Sequence, residues 1–330
     1  MDASTTTTPT LTVVVPCYNE VEVLPLFHAR AIAALAETGT DWTLLYVNDG
    51  STDGTLDLLR ALPGATVLNL SRNFGKEAAA TAGIDHASGD SVILIDADLQ
   101  DPPELMPELV RRWRQGFDMV YAQRRARDGD SWLKRRTAHS FYRLMQSVGR
   151  VKLPADTGDY RLMSRRVVVA LGQLREQHRF MKGLFAWVGY PSCAVPYDRA
   201  PRAAGATKWT YWRLWNLAID GITGFTVMPL KVATYFGLLV AVAAVIYGVV
   251  IMLKTVLFGN PVPGYPSLLV VVLFLGGVQL MTLGVIGEYL GRVFNETKRR
   301  PLYLIESVRS NPARPASAPV SAVAASVPPG

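Results

Sequence analysis

Two stretches near the C-terminal end constrain this chain more than any other feature. Residues 232–253 carry no charge, and only Thr234, Tyr235 and Tyr247 interrupt their apolar character. Residues 267–286 repeat the pattern, broken by Ser267, Gln279 and Thr282. A helix needs about 20 apolar residues to cross the hydrocarbon core of a bilayer. The spacing therefore predicts two spans, 231–254 and 267–290, well away from the N-terminus and so not a signal peptide. Two buried core helices are the alternative. A hydrophobic content of 49% is high for a wholly soluble chain and agrees with spans. The link 255–266 has no Lys or Arg, whereas Lys231 precedes the first run and Arg292, Lys298, Arg299 and Arg300 follow the second. The positive-inside bias then places both termini in the cytoplasm.

The flanks of the chain read differently. Residues 1–10 are Thr-rich and 310–330 are mostly Ala, Pro, Ser and Val, compositions expected of disordered ends. Between them, 11–208 forms the main domain, followed by juxtamembrane helices at 209–230 and a cytoplasmic segment at 291–309. Short β-branched runs at 11–15, 44–47, 66–70 and 92–95 alternate with helical spacing at 21–36, 55–61 and 76–86. That rhythm predicts an α/β fold with a mostly parallel sheet covered on both faces. Ligands of such sheets sit beyond the carboxyl ends of the strands. After Asp156 the alternation fades. Trp209, Trp212 and Trp215 fall three apart on one side of a helix, suited either to the lipid headgroup layer or to packing on the main domain.

The charge is uneven. Fifteen Lys or Arg against five Asp lie between Arg111 and Arg166. Such a block serves nucleic acid, anionic lipid or phosphate-bearing substrates. Spans downstream favour the last two, and no helix-turn-helix, zinc-finger or RNP-like pattern supports a nucleic-acid partner. Cys17 and Cys193 give no disulfide framework.

Polar residues collect at the predicted strand ends. Asp96, Asp98 and Gln100 follow the strand at 92–95, and an extended chain there would aim all three to one side. Two carboxylates and an amide oxygen suit Mg²⁺ or Mn²⁺ with positions left for water and phosphate oxygens. The task that fits is neutralising a nucleotide diphosphate leaving group. Tyr18 and Glu20 close the first strand and Asp49 the second, where a ring and carboxylates can grip a nucleobase. Turn and cap roles for Asp49, Ser51 and Asp53 are the alternative. Dinucleotide and P-loop glycine patterns, zinc spacings and a nucleophile elbow are all missing from the sequence.

The stretches VVVPCYNE, VNDGSTDGT, SRNFGKEAAATAG and ILIDADLQDPPEL, in that order, resemble the family 2 glycosyltransferases of GT-A fold. DTGDYRLMSRR, RFMKGLFAWVGY, RAAGATKWTYWRL and the paired spans extend the likeness to the polyprenyl-phosphate glycosyltransferases. That group holds the bactoprenol glucosyltransferases of the GtrB type and the dolichol-phosphate mannose synthases. The two-span form is most similar to the former. The resemblance implies inverting transfer of a hexose, first of all glucose from UDP-glucose, to undecaprenyl phosphate at a bacterial inner membrane. GDP-mannose is the alternative donor.

By the same resemblance, Pro16, Tyr18, Glu20 and Asp49 line the base pocket. Asp96 and Asp98 serve the donor diphosphate and its metal, with Gln100 as a further ligand. Arg124, Arg127, Arg135 and Arg136 meet the acceptor phosphate, and Arg202 and Lys208 lie on a loop that closes over the donor. Asp156 or Asp159 orients the acceptor or acts as a residual base, unless they merely pair with Arg161, Arg165 or Arg166. A lipid monophosphate is already anionic, so alignment matters more than a strong base. The two spans also offer a surface for self-association. Processive synthases share the first half of the pattern but carry a Gln-x-x-Arg-Trp motif, and Gln177-His178-Arg179-Phe180 does not match it. A non-catalytic nucleotide-sugar-sensing scaffold would have no need to keep Asp96, Asp98 and the arginines.

Overall fold

β1, Thr10–Cys17, shows why this domain is layered. Val13 and Val15 enter one apolar cluster and Val14 the other, so the period of two along a strand feeds two cores. β2, Asp41–Asn48, does the same with Leu44 and Tyr46 on one face and Leu45 and Val47 on the other. The computed structural model describes residues 8–125, 157–177, 179–198, 228–258 and 264–311.

The first half follows the sequence rhythm. After β1 come α1 (Leu24–Ala36), β2, α2 (Thr55–Ala61), β3 (Ala65–Leu70), α3 (Lys76–His86), β4 (Ser91–Leu94), α4 (Met106–Arg114) and β5 (Met119–Arg124). α3 lies so close to β1 that a Cβ on Gly83 would fall 2.2 Å from a Val14 methyl carbon. The alternation does not fade after Asp156, contrary to the sequence reading. β6 (Thr157–Ser164), α5 (Arg165–Gln173), α6 (Met181–Trp187) and β7 (Ser192–Tyr197) continue it. β6 escapes an apolar-run search because it carries Asp159 and Arg161 within a mostly buried strand.

The sheet has eight strands in the order β7-β5-β6-β4-β1-β2-β3-β8, where β8 is Ile305–Ser310. β1 pairs in parallel with β2 and β4, as does β2 with β3 and β5 with β7. β6 is antiparallel between β4 and β5, and β8 is antiparallel to β3. The carboxyl ends of β1 to β5 and β7 therefore share one edge with the start of β6.

α7 (Met228–Phe258) and α8 (Tyr265–Thr297) hold 31 and 33 residues, longer than the spans read from sequence. At about 1.5 Å per residue they exceed a hydrocarbon core of about 30 Å. Their apolar side chains face outward, with Val245 66%, Leu280 73% and Phe258 80% exposed. They are therefore not the core helices of a soluble domain, and they are consistent with membrane association.

The chain then returns to the sheet. Ser71 N donates to Leu304 O at 3.0 Å, and β8 closes the edge beside β3. Tyr303 Oη and Arg175 both donate to Asp85, at 2.8 and 2.6 Å. Asn311 Nδ2 donates to the carbonyls of Leu59 and Leu62. The fold thus runs through Asn311, past the boundary at 310. At the other end Thr10 belongs to β1, with its N donating to Asp90 Oδ2 at 2.8 Å.

Candidate active site

β4 stops at Leu94, and the chain turns through Asp96-Ala97-Asp98 with Leu99 left-handed at φ 58°. It does not stay extended as the sequence argument assumed. Burial nevertheless alternates, with Ala97 and Leu99 inside and Asp96, Asp98 and Gln100 partly exposed. Gln100 N donates to Asp98 Oδ1 at 3.1 Å, an Asx turn that sets the second carboxylate.

Lys76 organises the centre of the edge. Its Nζ lies 2.7 Å from Asp96 Oδ2 and 2.8 Å from Asp159 Oδ2, joining the end of β4 to the start of β6. Burial opposes ionisation of Asp159, but Lys76, Lys182 and Arg161 outweigh it and hold the carboxyl down at about 2. Burial raises Asp96 against the pull of Lys76, with Asp159 and Asp98 adding to the rise. Burial, with Asp159 nearby, pushes Glu77 up to about 7. Lys182 is lowered by burial despite Asp159, and burial brings Arg161 down to about 10. Arg161 stacks 3.7 Å over the Phe185 ring and donates to Gly158 O at 2.8 Å. The edge is thus a packed cluster of opposite charges.

The ends of β1 and β2 are laced together. Asn19, left-handed at φ 55°, donates its N to Ser51 Oγ and accepts from Thr52 N at 2.8 Å. Glu20 N donates to Thr55 Oγ1, and Asp53 Oδ1 accepts from Thr55 N at 3.0 Å. Ser51 and Asp53 thus have the turn roles open to them from sequence. Asp49 is buried, and its two oxygens accept from Phe74 N at 2.8 Å and Gly75 N at 3.0 Å. Burial raises its carboxyl, and those two N–H groups oppose the rise. Gly50 at φ 63° must be glycine, since a Cβ would sit 2.5 Å from the backbone of Arg72 and Asn73. Pro16 and Glu20 are half-buried here, and Tyr18 is exposed.

On the other side of β4, Arg124 Nε donates to Tyr197 Oη at 3.3 Å, and Tyr197 Oη donates to the buried Asp101. The structure therefore brings Asp96, Asp98, Gln100, Asp159 and Arg124 to one sheet edge, with Pro16, Tyr18, Glu20 and Asp49 along the same edge. Arg127, Arg135, Arg136, Asp156, Arg202 and Lys208 lie outside the described residues, as do the three juxtamembrane tryptophans. The arginine pairing open to Asp159 from sequence is corrected. Its side chain pairs with Lys76, while Arg161 donates to its backbone carbonyl, Arg165 to the carbonyls of Ala87 and Gly89, and Arg166 to Asp118.

The sequence profile described as Glycosyl transferase family 2 matches residues 12–172, and that of the GtrB C-terminal hairpin matches 228–293. The SfII prophage-derived bactoprenol glucosyl transferase of Shigella flexneri is 48% identical over 307 residues, 92% of this chain and 99% of that one. This chain belongs to glycosyl transferase family 2. An uncharacterized glycosyltransferase of Synechocystis sp. is 52% identical over 302 residues, covering 90% of this chain and 95% of its own. Among solved structures, glucosyl-3-phosphoglycerate synthase from Mycobacterium tuberculosis, in complex with Mn²⁺, UDP-glucose and phosphoglyceric acid, is 20% identical. It covers 65% of this chain and 78% of its own, at a TM-score of 0.46.

The residues of this glycosyltransferase fit a hard divalent ion. Asp96 and Asp159 share one ammonium, Asp98 lies near enough to raise the Asp96 carboxyl, and Asp159 Oδ1 is buried with no hydrogen-bond partner. Carboxylate and amide oxygens are the donors that Mg²⁺ and Mn²⁺ prefer. Among the described residues no three His, Cys, Asp or Glu form a cage, so an ion here would share its shell with substrate and water. Sequence reasoning gave Lys76 no role, although it lies in a quoted motif. The available signal was a lysine opening a helix, against the helix dipole. Lys182, Arg161 and the Asp101–Tyr197 pair carried no such mark.

Proposed function

We propose that this enzyme transfers a hexose, glucose from UDP-glucose in the first instance, to polyprenyl phosphate with inversion at the anomeric carbon. The observation that carries this reading is the match of 47–48% identity, over about nine-tenths of the chain, to proteins named as bactoprenol glucosyl transferases. The match runs through both the main domain and the apolar hairpin. Undecaprenyl phosphate is the acceptor we assign, and the cytoplasmic face of a bacterial inner membrane the place. Both termini and the main domain lie on that face, and the short link between α7 and α8 on the other, in keeping with the lysines and arginines at the outer ends of the pair.

Pro16, Tyr18, Glu20 and Asp49 take the base, with Asp49 also holding the Phe74–Gly75 turn beneath it. Asp96, Asp98 and Gln100 would hold Mg²⁺ or Mn²⁺, which when bound neutralises charge on the departing nucleotide diphosphate. Lys76 holds Asp96 and Asp159 together and aimed. Arg124, with Arg127, Arg135 and Arg136, pairs with the acceptor phosphate through planar forks that match its oxygens. Arg202 and Lys208 close over the donor. The acceptor oxygen attacks as an anion, so no strong base is required. Asp159, held by Lys76, or Asp156 orients the acceptor or supplies residual base function. The apolar faces of α7 and α8 provide for self-association.

The test is transfer of label into the organic phase. Detergent-purified protein is mixed with polyprenyl phosphate, Mg²⁺ and labelled UDP-glucose, other UDP-hexoses or GDP-mannose, with Asp98→Ala as control. Glucose entering the lipid phase and lost in the variant is the expected result. Label from GDP-mannose alone would replace the donor. Binding of nucleotide sugar without transfer would favour a sensing scaffold.

A further inference from the structure

We propose that Glu306, on the strand that returns from the apolar hairpin, is a positioning residue for the donor half of the site; this rests on the donor reading above. β8 pairs with β3 in one register from Ser310 to Ser307, where Asn69 faces Ser307. The register then shifts so that Leu70 faces Ile305. Glu306 is the extra residue of this bulge. Bulges at sheet edges re-aim a side chain, and here the carboxylate turns onto the neighbouring strand. Asn69 Nδ2 donates to Glu306 Oε2 at 2.6 Å, and Asn48 Nδ2 donates to Asn69 Oδ1 at 2.7 Å. Asn48 and Asn69 are buried and Glu306 is exposed, so the ladder runs from the solvent edge at β8 through β3 into the buried end of β2.

The carboxylate sets the direction of that ladder. An ionised Glu accepts and cannot donate, so Asn69 must present its amide nitrogen to Glu306 and its oxygen to Asn48. Asn48 then shows its nitrogen to Asn69, and its own Oδ1 is left buried without a partner. The next residue is Asp49, which holds Phe74 N and Gly75 N, and the residue after Gly75 is Lys76. A continuous set of contacts thus leads from the segment behind the hairpin to the group that grips Asp96 and Asp159. The strand after the hairpin is part of the donor-binding edge as well as its tether.

The experiment uses the full chain in detergent with three variants: Glu306→Gln, Glu306→Ala and, as a control elsewhere on β8, Arg309→Ala. UDP binding is measured by calorimetry, the donor KM and kcat by lipid labelling, and amide exchange by mass spectrometry. Glu306→Ala is expected to weaken UDP binding and raise the donor KM by roughly 3- to 10-fold, the scale of one lost charge-assisted hydrogen bond at a partly exposed site, with kcat little changed. Exchange at residues 71–76 should quicken. Glu306→Gln, whose amide oxygen can accept the same bond, should lie near the wild type, and Arg309→Ala should leave all three readouts unmoved. Equal effects of Glu306→Ala and Arg309→Ala, or wild-type exchange at 71–76 in Glu306→Ala, would overturn the assignment. A wild-type chain that neither binds UDP nor transfers glucose would instead sink the donor reading, and the exchange result would still decide the role of Glu306.

Discussion

Replacing Lys76 by Met would remove the cation that, among the described residues, touches both Asp96 and Asp159, while keeping most of the side-chain volume. Two charge-assisted contacts, 2.7 and 2.8 Å long, would be lost. Such bonds contribute about 1.5–3 kcal/mol each when sheltered. Half of the Lys76 side chain is exposed, however, so screening brings each down to about 1 kcal/mol. Without the ammonium, the two carboxylates that it bridges would also repel each other, which adds to the loss. Asp159 would then have neither oxygen paired, since Oδ1 already lacks a partner. The expected outcome is a stability loss of about 2–4 kcal/mol, followed by thermal unfolding in detergent. Transfer to lipid should fall by at least about tenfold, since a shift of 1.4 kcal/mol in barrier has that effect. Lys76→Arg, which restores the charge, should recover part of both. Wild-type stability together with wild-type kcat/KM in Lys76→Met would refute the reasoning.

Other expected outcomes concern the turn, a buried histidine and the metal. Gly50→Ala forces a Cβ to 2.5 Å from the Arg72–Asn73 backbone at φ 63°, and should cost about 2–4 kcal/mol in denaturation with a raised donor KM. His28 is buried against Tyr46 Oη at 2.9 Å, and burial lowers its pKa against the opposing Pro63 carbonyl. The unfolded chain therefore binds the extra proton first, so this contribution to stability is complete above about 6.5 and declines as pH falls below it. His28→Gln should flatten the wild-type drop in stability between about pH 6.5 and 5.5, where the unfolded imidazole takes up its proton. A chelator should stop transfer, and added Mg²⁺ or Mn²⁺ should restore it in the wild type but not in Asp98→Ala. Full activity in excess chelator would remove the metal from the mechanism.

Much of the first half of the fold was legible in the sequence. α2 and α3 begin and end where their apolar spacing places them, and β1 to β4 differ from the runs that mark them by a few residues at the ends. Local chemistry decides these elements: β-branched runs buried on both faces, closed by Pro, Gly, Asn and Asp. Two long apolar helices were equally plain, because about 20 uncharged residues in a row have few other uses. What the sequence by itself determined was therefore a layered α/β domain, a hairpin of apolar helices, and carboxylates gathered at strand ends.

Tertiary structure alone decided which charges meet. Lys76 and Asp159 are 83 residues apart and become partners only because β6 enters antiparallel beside β4. β6 hid from the apolar-run search because its charges are satisfied by distant groups, not by its own pattern. β8 was unreadable for a related reason: all six residues are exposed, so no apolar face announces a strand. Its place comes from the open edge of β3 and from Asn311, Tyr303 and Glu306 reaching side chains and carbonyls more than 200 residues earlier. Periodicity records what a segment does with its own neighbours. Hydrogen bonds and ion pairs between segments exist only once the sheet has brought them within about 3 Å.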